Sequence, residues 1–279
     1  KEITYHEDTW AGGGNFGPCM EYFSRGLELG NQVYMMYEQT PNGPKELKLK
    51  VLDMGMGHER NAWFTQGAST SYETTFPTVC KKLFSATGIK SDPKLMAKFL
   101  PFSSYLNVDE VDDINKTWNF VAKKVGVSTK ELREKIQPLA ALFSIGEHAR
   151  SLLFAISDGG LPSNVGGGYN LRVIYRRALS FIDKYNWDVD FATVCDWHAA
   201  YLKKIFPETS DHLDTVRKVL DVEKNKYEAT KQKTRQLVAS MIKRAQEHKV
   251  VKGKPVITES VLTELYDSQG IAPELVKEA

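Results

Sequence analysis

The chain has 279 residues, of which 42% are hydrophobic and 26% are charged. These values are ordinary for a globular protein with a sizeable core, and the length suits two lobes. A formal net charge of only +2 excludes the strongly basic field of a general nucleic-acid binder, so any RNA site must come from local clustering. No run approaches the ~18 apolar residues of a membrane span, and no signal peptide is visible.

Three cysteines, Cys19, Cys80 and Cys195, are odd in number and widely spaced. This spacing fits no zinc site and predicts reduced thiols, as in a cytoplasmic protein. We expect no metal site within the chain. Because the chain starts without methionine on a segment typical of a strand, we expect it to be a piece of a longer protein.

The first part of the chain is typical of strands separated by turns. Residues 1–10 alternate weakly, Gln32–Tyr37 predicts a central strand, and Glu46–Leu52 alternates charged and apolar residues as a half-buried strand does. Between the first two segments lie Gly12–Gly14 and Gly17-Pro18. We interpret them as a loop with little intrinsic order, useful where a ligand passes close to the backbone. A long hairpin loop is the alternative.

The segment from Val51 to Arg60 passes from a strand pattern to a helical one. Gly55 and Gly57 fall at this turn, where the absence of Cβ atoms lets a ligand approach the backbone. Asp53 supplies an anion, Arg60 supplies a cation about one helical turn after Gly57, and the helix N-terminus adds partial positive charge. This combination suits a site for an ammonium group and a phosphate, hence an amino acid and a nucleotide. The alternative is a tight turn with a surface arginine.

Beyond residue 88 the apolar spacing is helical. Ser91-Asp92-Pro93 predicts a helix start, and Ser128 to Glu131 has the pattern of a capping box. His148 is expected to be a packed core residue rather than a catalyst. Asp211–Glu247 predicts one long polar helix, or two in line, with a solvated face rather than an RNA-binding stripe. The sequence therefore predicts an α+β fold.

A second polar block joins two of the predicted helices. Asp158–Asn164 predicts a turn, and Gly166–Gly168 predicts a flexible hinge. The next helix carries Arg172, Arg176 and Arg177 away from its apolar face. Arginines on a helix beside a polar loop suit a phosphate backbone. A solvated amphipathic helix is the alternative.

Four strings resemble the alanyl-tRNA synthetases, a family of class II aminoacyl-tRNA synthetases, in their archaeal form. Leu52–Arg60, Leu-Asp-Met-Gly-Met-Gly-His-Glu-Arg, resembles the third class II motif. Gly17–Glu21 resembles the end of the family's glycine-rich loop at the adenylate pocket. Asp158–Ala178 matches Asp-Gly-x-x-Pro-Ser-Asn-x-Gly-x-Gly-Tyr-x-Leu-Arg-x-Ile-x-Arg-Arg-Ala, and Leu265-Tyr266-Asp267 resembles the string that closes the tRNA-recognition lobe.

The resemblance implies the C-terminal part of a class II antiparallel sheet domain over residues 1–88, and an all-α tRNA-recognition domain over residues 89–279. For the full-length protein it implies activation of alanine with ATP and Mg²⁺, then transfer to tRNA(Ala) in the cytoplasm. Because motifs one and two would precede Lys1, we expect the piece alone to be inactive. Zinc is expected only in an absent editing domain, and a monomer is expected because the dimerisation region is absent. A non-catalytic RNA-binding module that retains a relic of the pocket is the alternative.

By resemblance, Asp53 and Arg60 are the catalytic residues of the aminoacylation site. Asn31, Asp53 and Gly55 would bind alanine, with Asp53 on its ammonium group. Gly57 and Arg60 would bind ATP, with Arg60 on the γ-phosphate. Gly30-Asn31 also suits a simple turn.

The resemblance also implies that Asn164, Arg172, Arg176, Arg177 and Asp267 bind the tRNA acceptor stem. Asn164 and Asp267 would read a G·U wobble pair from the minor groove. The wobble leaves the guanine amino group without its usual partner, and a carboxylate or an amide oxygen can accept from it. A turn asparagine and a solvated aspartate are the alternative.

Overall fold

The structure is a computed structural model that describes residues 2–107, 111–247, 257–258, 261–262, 265 and 276, with the backbone alone for 242–247. The chain divides into two compact units, Lys1–Phe143 and Ser144–Ala279. The domain boundary expected between residues 88 and 89 stays a prediction. Asp267 lies outside the described residues.

The first unit begins with a four-stranded antiparallel sheet in which the strands lie in sequence order. The strands are β1 (Thr4–Gly12), β2 (Asn15–Ser24), β3 (Leu27–Thr40) and β4 (Gly43–Met56). The three predicted strands are confirmed. Strands β3 and β4 are longer than the patterns that predicted them, because two-residue turns join the strands. Gly30 and Asn31 lie within β3, which excludes the turn that these residues also suited.

The interpretation of the glycine-rich segment as a poorly ordered loop is wrong. Gly13 and Gly14 alone form the turn between β1 and β2, with φ of 61° and 85°. Two-residue hairpin turns of type I′ require positive φ at both positions, which glycine adopts without strain. Gly17 already lies inside β2, and a Cβ there would be 1.7 Å from the backbone oxygen of Tyr34. These glycines therefore allow close strand packing rather than disorder.

Helices make up the rest of the described part of the first unit. They are α1 (His58–Gln66), α2 (Ser71–Thr75), α3 (Pro77–Thr87), α4 (Pro93–Phe99), a 3-10 helix (Leu100–Leu106), α5 (Ile114–Val125) and the start of α6 (Thr129–Ser157). Both predicted helix starts are confirmed. Asp92 accepts hydrogen bonds from the backbone N–H groups of Lys94 and Leu95, and Ser128 accepts one from Glu131.

Helix α6 is the one described helix that is long and apolar enough, by length and composition, to cross a membrane. More than half of its most apolar window is buried inside the protein. Leu132, Leu142, Ile145, Leu152 and Leu153 are all fully buried. We therefore interpret α6 as a core helix.

The second unit continues from α6 into four further helices within its described residues. They are α7 (Gly166–Lys184), α8 (Phe191–Leu202), α9 (Glu208–Asp211) and α10 (Leu213–Glu247). Helix α10 is a single helix rather than two in line. No strand occurs in the described residues after β4, so the α+β architecture is confirmed.

The hinge predicted at Gly166–Gly168 is wrong, because these residues form the first turn of α7. Gly166 starts the helix with a φ of 56°. A Cβ at Gly168 would be 2.4 Å from Ser163 Oγ and 2.5 Å from the backbone oxygen of Leu161. Glycine is needed at this position because the preceding loop packs directly on the helix.

All three cysteines are free and buried. Burial raises the pKa of the Cys80 thiol to about 12. The thiols therefore stay protonated near neutral pH, which makes them weak nucleophiles and weak metal ligands.

Candidate functional site

Three of the predicted site residues lie on one face of the sheet. Asn31 pairs with Gly55 across β3 and β4, and Val33 pairs with Asp53. Directly opposed residues share a face, as do residues two apart along a strand. Asn31, Asp53 and Gly55 therefore point to the same side, with neighbouring Cα atoms about 5 Å apart.

A row of residues beside Asn31 crosses all four strands on this face. The row consists of Asp8, Cys19, Val33 and Asp53. Cys19 and Val33, in the inner strands, are only 5% and 3% exposed, whereas Asp8 and Asp53, in the edge strands, are exposed. The face thus presents one carboxylate on each side of an apolar strip.

Glu21 extends the polar part of the same face, because it pairs with His6 on one side and with Asn31 on the other. His6, Asp8 and Glu21 bring their ligand atoms within 4.8 Å of one another, with His6 Nδ1 3.6 Å from Glu21 Oε2. Mg²⁺ binds oxygen ligands, usually one or two carboxylates together with phosphates. Asp8 and Glu21 fit that preference and His6 does not. None of the three is a site residue predicted from the sequence, although Glu21 ends the Gly17–Glu21 string.

Gly55 makes room for the side chain of Asn31. A Cβ at Gly55 would lie 2.5 Å from Asn31 Oδ1 and 3.1 Å from Asn31 Cγ. Both distances are too short for a side chain that stays in place. A glycine therefore occupies position 55 because the Asn31 side chain, on the neighbouring strand, fills the space that a Cβ would take.

Glu28 joins the two halves of the predicted site. Asn31 Nδ2 donates to Glu28 Oε1 at 3.3 Å, and Arg60 Nη1 donates to Glu28 Oε2 at 2.7 Å. The same Arg60 nitrogen also lies 3.3 Å from the backbone oxygen of Glu28. In the described structure both contacts use Nη1, which leaves Nε and Nη2 for a phosphate. No local pattern marks Glu28 as a link to Arg60, because the two residues are 32 positions apart in the chain.

Helix α1 holds Arg60 at the sheet through two further features. Asn61 Nδ2 donates to the backbone oxygens of Leu29 and Gly57, both at 2.9 Å. Gly57 is the N-cap residue of α1, and a Cβ there would be 3.2 Å from Arg60 Cδ and Cγ. Gly57 therefore lets the arginine stem lie close to the turn.

In the second unit, Asn164 lies exposed on the loop between α6 and α7. Ser163 braces this loop, since its N–H donates to the backbone oxygen of Gly168 at 2.9 Å and its hydroxyl donates to that of Val165 at 2.9 Å. Arg172 Nη1 donates to Asn164 Oδ1. The structure thus brings Asn164 and Arg172 together.

Arg172 and Arg176 also meet at Glu223 of α10. Glu223 is 2% exposed, and it accepts from Arg172 Nε at 2.7 Å, Arg172 Nη2 at 3.0 Å and Arg176 Nε at 3.1 Å. Arg177 is exposed instead, and it lies close enough to His148 to help lower the pKa of that imidazole to about 4, an effect due mainly to burial. The three arginines therefore do not form one cluster.

Comparison with known proteins agrees with these features. The family model of the class II (A) tRNA synthetases matches residues 1–279. An alanine–tRNA ligase of Methanocella arvoryzae is 48% identical over 279 residues, which are 100% of this chain and 31% of that protein. Alanine–tRNA ligases of Nitrosopumilus maritimus and Methanobrevibacter smithii are 40% and 35% identical, over 99% and 100% of this chain and 30% and 31% of those proteins.

The chain belongs to the class II (A) tRNA synthetases. Its relatives at up to 48% identity are archaeal alanine–tRNA ligases, as the sequence strings predicted. The chain spans about 31% of the length of the curated relatives that it matches.

Proposed function

We propose that the full-length protein containing this chain is a cytoplasmic alanine–tRNA ligase, which activates alanine with ATP and Mg²⁺ and transfers it to tRNA(Ala). The observation that carries the proposal is the shared sheet face of Asn31, Asp53 and Gly55, linked to Arg60 through Glu28. This arrangement offers an anion for an ammonium group and a cation for a phosphate in one site.

In the proposed activation step, an alanine carboxylate oxygen attacks the α-phosphorus of ATP. A P–O bond forms as the bond to pyrophosphate breaks, and pyrophosphate leaves with its electron pair. Such a step depends on positioning and charge neutralisation rather than on proton transfer by the protein. Asp53 and Asn31 would hold alanine, and Arg60 beside Gly57 would hold the γ-phosphate. Asp8 and Glu21 would hold Mg²⁺, which neutralises phosphate charge.

The helical unit would bind the tRNA acceptor stem and read its G·U pair. Asn164 is exposed on a braced loop, and Arg177 is exposed on α7. Arg172 and Arg176 together outweigh the single charge of Glu223, so the region keeps positive charge for phosphates. A role of Asp267 in reading the pair stays a prediction.

We propose that the protein acts as a monomer.

ATP–pyrophosphate exchange tests this function. The full-length gene product is expected to exchange pyrophosphate into ATP only when alanine is present, and Asp53→Ala is expected to remove most of the exchange because the ammonium group loses its counter-charge. The 279-residue chain alone is expected to show no exchange, given the share of its relatives that it spans. A full-length protein that binds tRNA(Ala) but never exchanges pyrophosphate would instead be the non-catalytic module.

Glu28→Ala is expected to raise the Michaelis constants for both alanine and ATP, each about tenfold, because Asn31 and Arg60 lose the same hydrogen-bonding partner. Exchange kinetics of the full-length protein measure both constants. Glu38→Ala is the matched control, since Glu38 also lies in β3 and pairs with Lys45 at 2.8 Å at a surface position away from Asn31. A rise in only one of the two constants would contradict the bridging role.

A further inference from the structure

Within the described residues, Glu223 is the one charged residue among the buried positions on a stripe of α10. The buried residues of this stripe are Val216, Leu220, Glu223, Tyr227, Thr234 and Val238. A carboxylate in such a place is costly unless it is paired and hydrogen-bonded. Three arginine N–H groups meet this need, two from Arg172 and one from Arg176.

The contact between Arg172 and Glu223 fixes the plane of the guanidinium group. Arg172 donates through Nε to one carboxylate oxygen and through Nη2 to the other. This two-point contact determines orientation as well as distance. The remaining terminal nitrogen, Nη1, is thereby directed to Asn164. Arg172 is only 13% exposed and has little freedom to turn elsewhere.

The bond to Arg172 also decides which end of the Asn164 amide faces outward. A guanidinium group has donors and no acceptor, so the asparagine atom beside it must be the oxygen. Its Nδ2 group, with two N–H donors, is then the end that the exposed Asn164 presents to a ligand. An oxygen held by Arg172 is poorly placed to accept from a guanine amino group.

We infer that Glu223 is a positioning residue for RNA reading, because it holds Arg172 so that Asn164 presents hydrogen-bond donors to the acceptor stem. The group that Asn164 reads is then an acceptor in the minor groove whose position depends on the wobble, namely uracil O2. The guanine amino group is a donor, so a different residue must accept its hydrogen bond. This inference rests on the proposed function for the identity of the RNA.

Asn164→Asp tests the direction of this hydrogen bond in the full-length protein. An aspartate keeps the shape and can still accept from Arg172, but it presents an oxygen where Asn164 presents donors. We expect equilibrium binding of an acceptor-stem minihelix with a G·U pair to weaken about tenfold. Asn170→Asp adds the same charge at an exposed position of α7 and is expected to change binding less than twofold. Binding by Asn164→Asp that equals or exceeds the wild type would overturn the inference.

Glu223→Gln tests the positioning role, because glutamine keeps the size but has a single acceptor oxygen. It therefore cannot form the two-point contact with Arg172 Nε and Nη2. We expect it to lower the preference for a G·U over a G·C minihelix by the same factor as Asn164→Ala, with no further loss in the double variant. If Glu223→Gln folds poorly, Arg172→Lys serves as the test variant instead. A lysine cannot reach both Glu223 and Asn164, so we expect the same loss of G·U preference. An equal loss on both minihelices, or losses that add in the double variant, would leave Glu223 with a structural role only and reject the inference.

Measuring both aminoacylation and binding of the minihelix distinguishes a failure of this inference from a failure of the proposed function. If the wild-type protein binds the G·U minihelix with the predicted pattern of variants but never charges it, the proposed function fails and the positioning role stands. If it charges the minihelix while Glu223→Gln keeps the full G·U preference, the proposed function stands and the inference fails. A wild-type protein that does not bind the minihelix overturns the inference directly.

Discussion

Gly55→Ala is expected to lower kcat/KM for alanine about 100-fold in ATP–pyrophosphate exchange by the full-length protein. The new Cβ would lie 2.5 Å from Asn31 Oδ1, so the asparagine side chain must leave its place and its bond to Glu28. Two or more hydrogen bonds at the proposed alanine site are then lost, at about 1–1.5 kcal/mol each. We expect the loss mainly in KM, because Asn31 would contact alanine before and during the reaction.

A double-variant cycle distinguishes this explanation from a direct clash of the methyl group with alanine. If Gly55→Ala acts by displacing Asn31, adding it to Asn31→Ala should cost little more than Asn31→Ala alone. If the methyl group meets the substrate itself, the two losses should add. Gly167→Ala is the control, because a Cβ there would have no neighbour within 4 Å. Additive losses would show that Gly55 shapes the substrate pocket independently of Asn31.

The elements that the sequence predicts well are those set by local chemistry. Alternation predicted the strand ending at the third motif, and capping residues placed the starts of α4 and α6 at Asp92 and Ser128. The glycine-rich segments were misinterpreted because glycine lowers local order in an isolated chain yet also permits positive φ and close packing. Gly13 and Gly168 each have such a reason in the folded chain.

Some features of the site depend on pairing between residues that are distant in the chain. Glu28 meets Arg60 only because β3 and α1 are neighbours, and Asn31 meets Gly55 only through the strand register. Neither relation has a signal in composition or spacing. They required the three-dimensional structure.

Glu223 differs, because a signal for it exists in the sequence. Val216, Leu220, Glu223 and Tyr227 follow at steps of four, three and four residues, which places all four on one helix face. A charged residue on an apolar stripe predicts a buried ion pair. The prediction of a solvated face for this helix considered its many lysines and overlooked this single position.

The stability of the chain is expected to fall as the pH is lowered from about 6.5 towards 4, because two histidines are held neutral. Burial lowers the pKa of His148 and of His198 to about 4, with smaller contributions from Arg177 and Arg150 respectively. His198 is fully buried, and its Nε2 lies 2.8 Å from the backbone oxygen of Gly146. That nitrogen must carry the proton, since a carbonyl oxygen only accepts.

The sign of the pH effect follows from proton binding in the two states. The pKa of an unfolded histidine is near 6.5. Below that pH the unfolded chain therefore binds protons that the folded chain does not bind, and unfolding is favoured. Above pH 6.5 both states are neutral, and the stabilising contribution is complete. For His198 alone the free energy of unfolding is expected to fall by about 2 kcal/mol between pH 7.5 and pH 5.

Urea unfolding of the 279-residue chain at several pH values measures this loss. His198→Gln keeps an N–H donor for the backbone oxygen of Gly146 but does not titrate, so its free energy of unfolding should depend less on pH between 6.5 and 4 than that of the wild type. His212→Gln, at an exposed position of the same unit, should keep the wild-type dependence. If His198→Gln and the wild type lose the same free energy between pH 7.5 and pH 5, acid destabilisation comes from other groups. In that case His198 accepts a proton in the folded chain, which would require its surroundings to open.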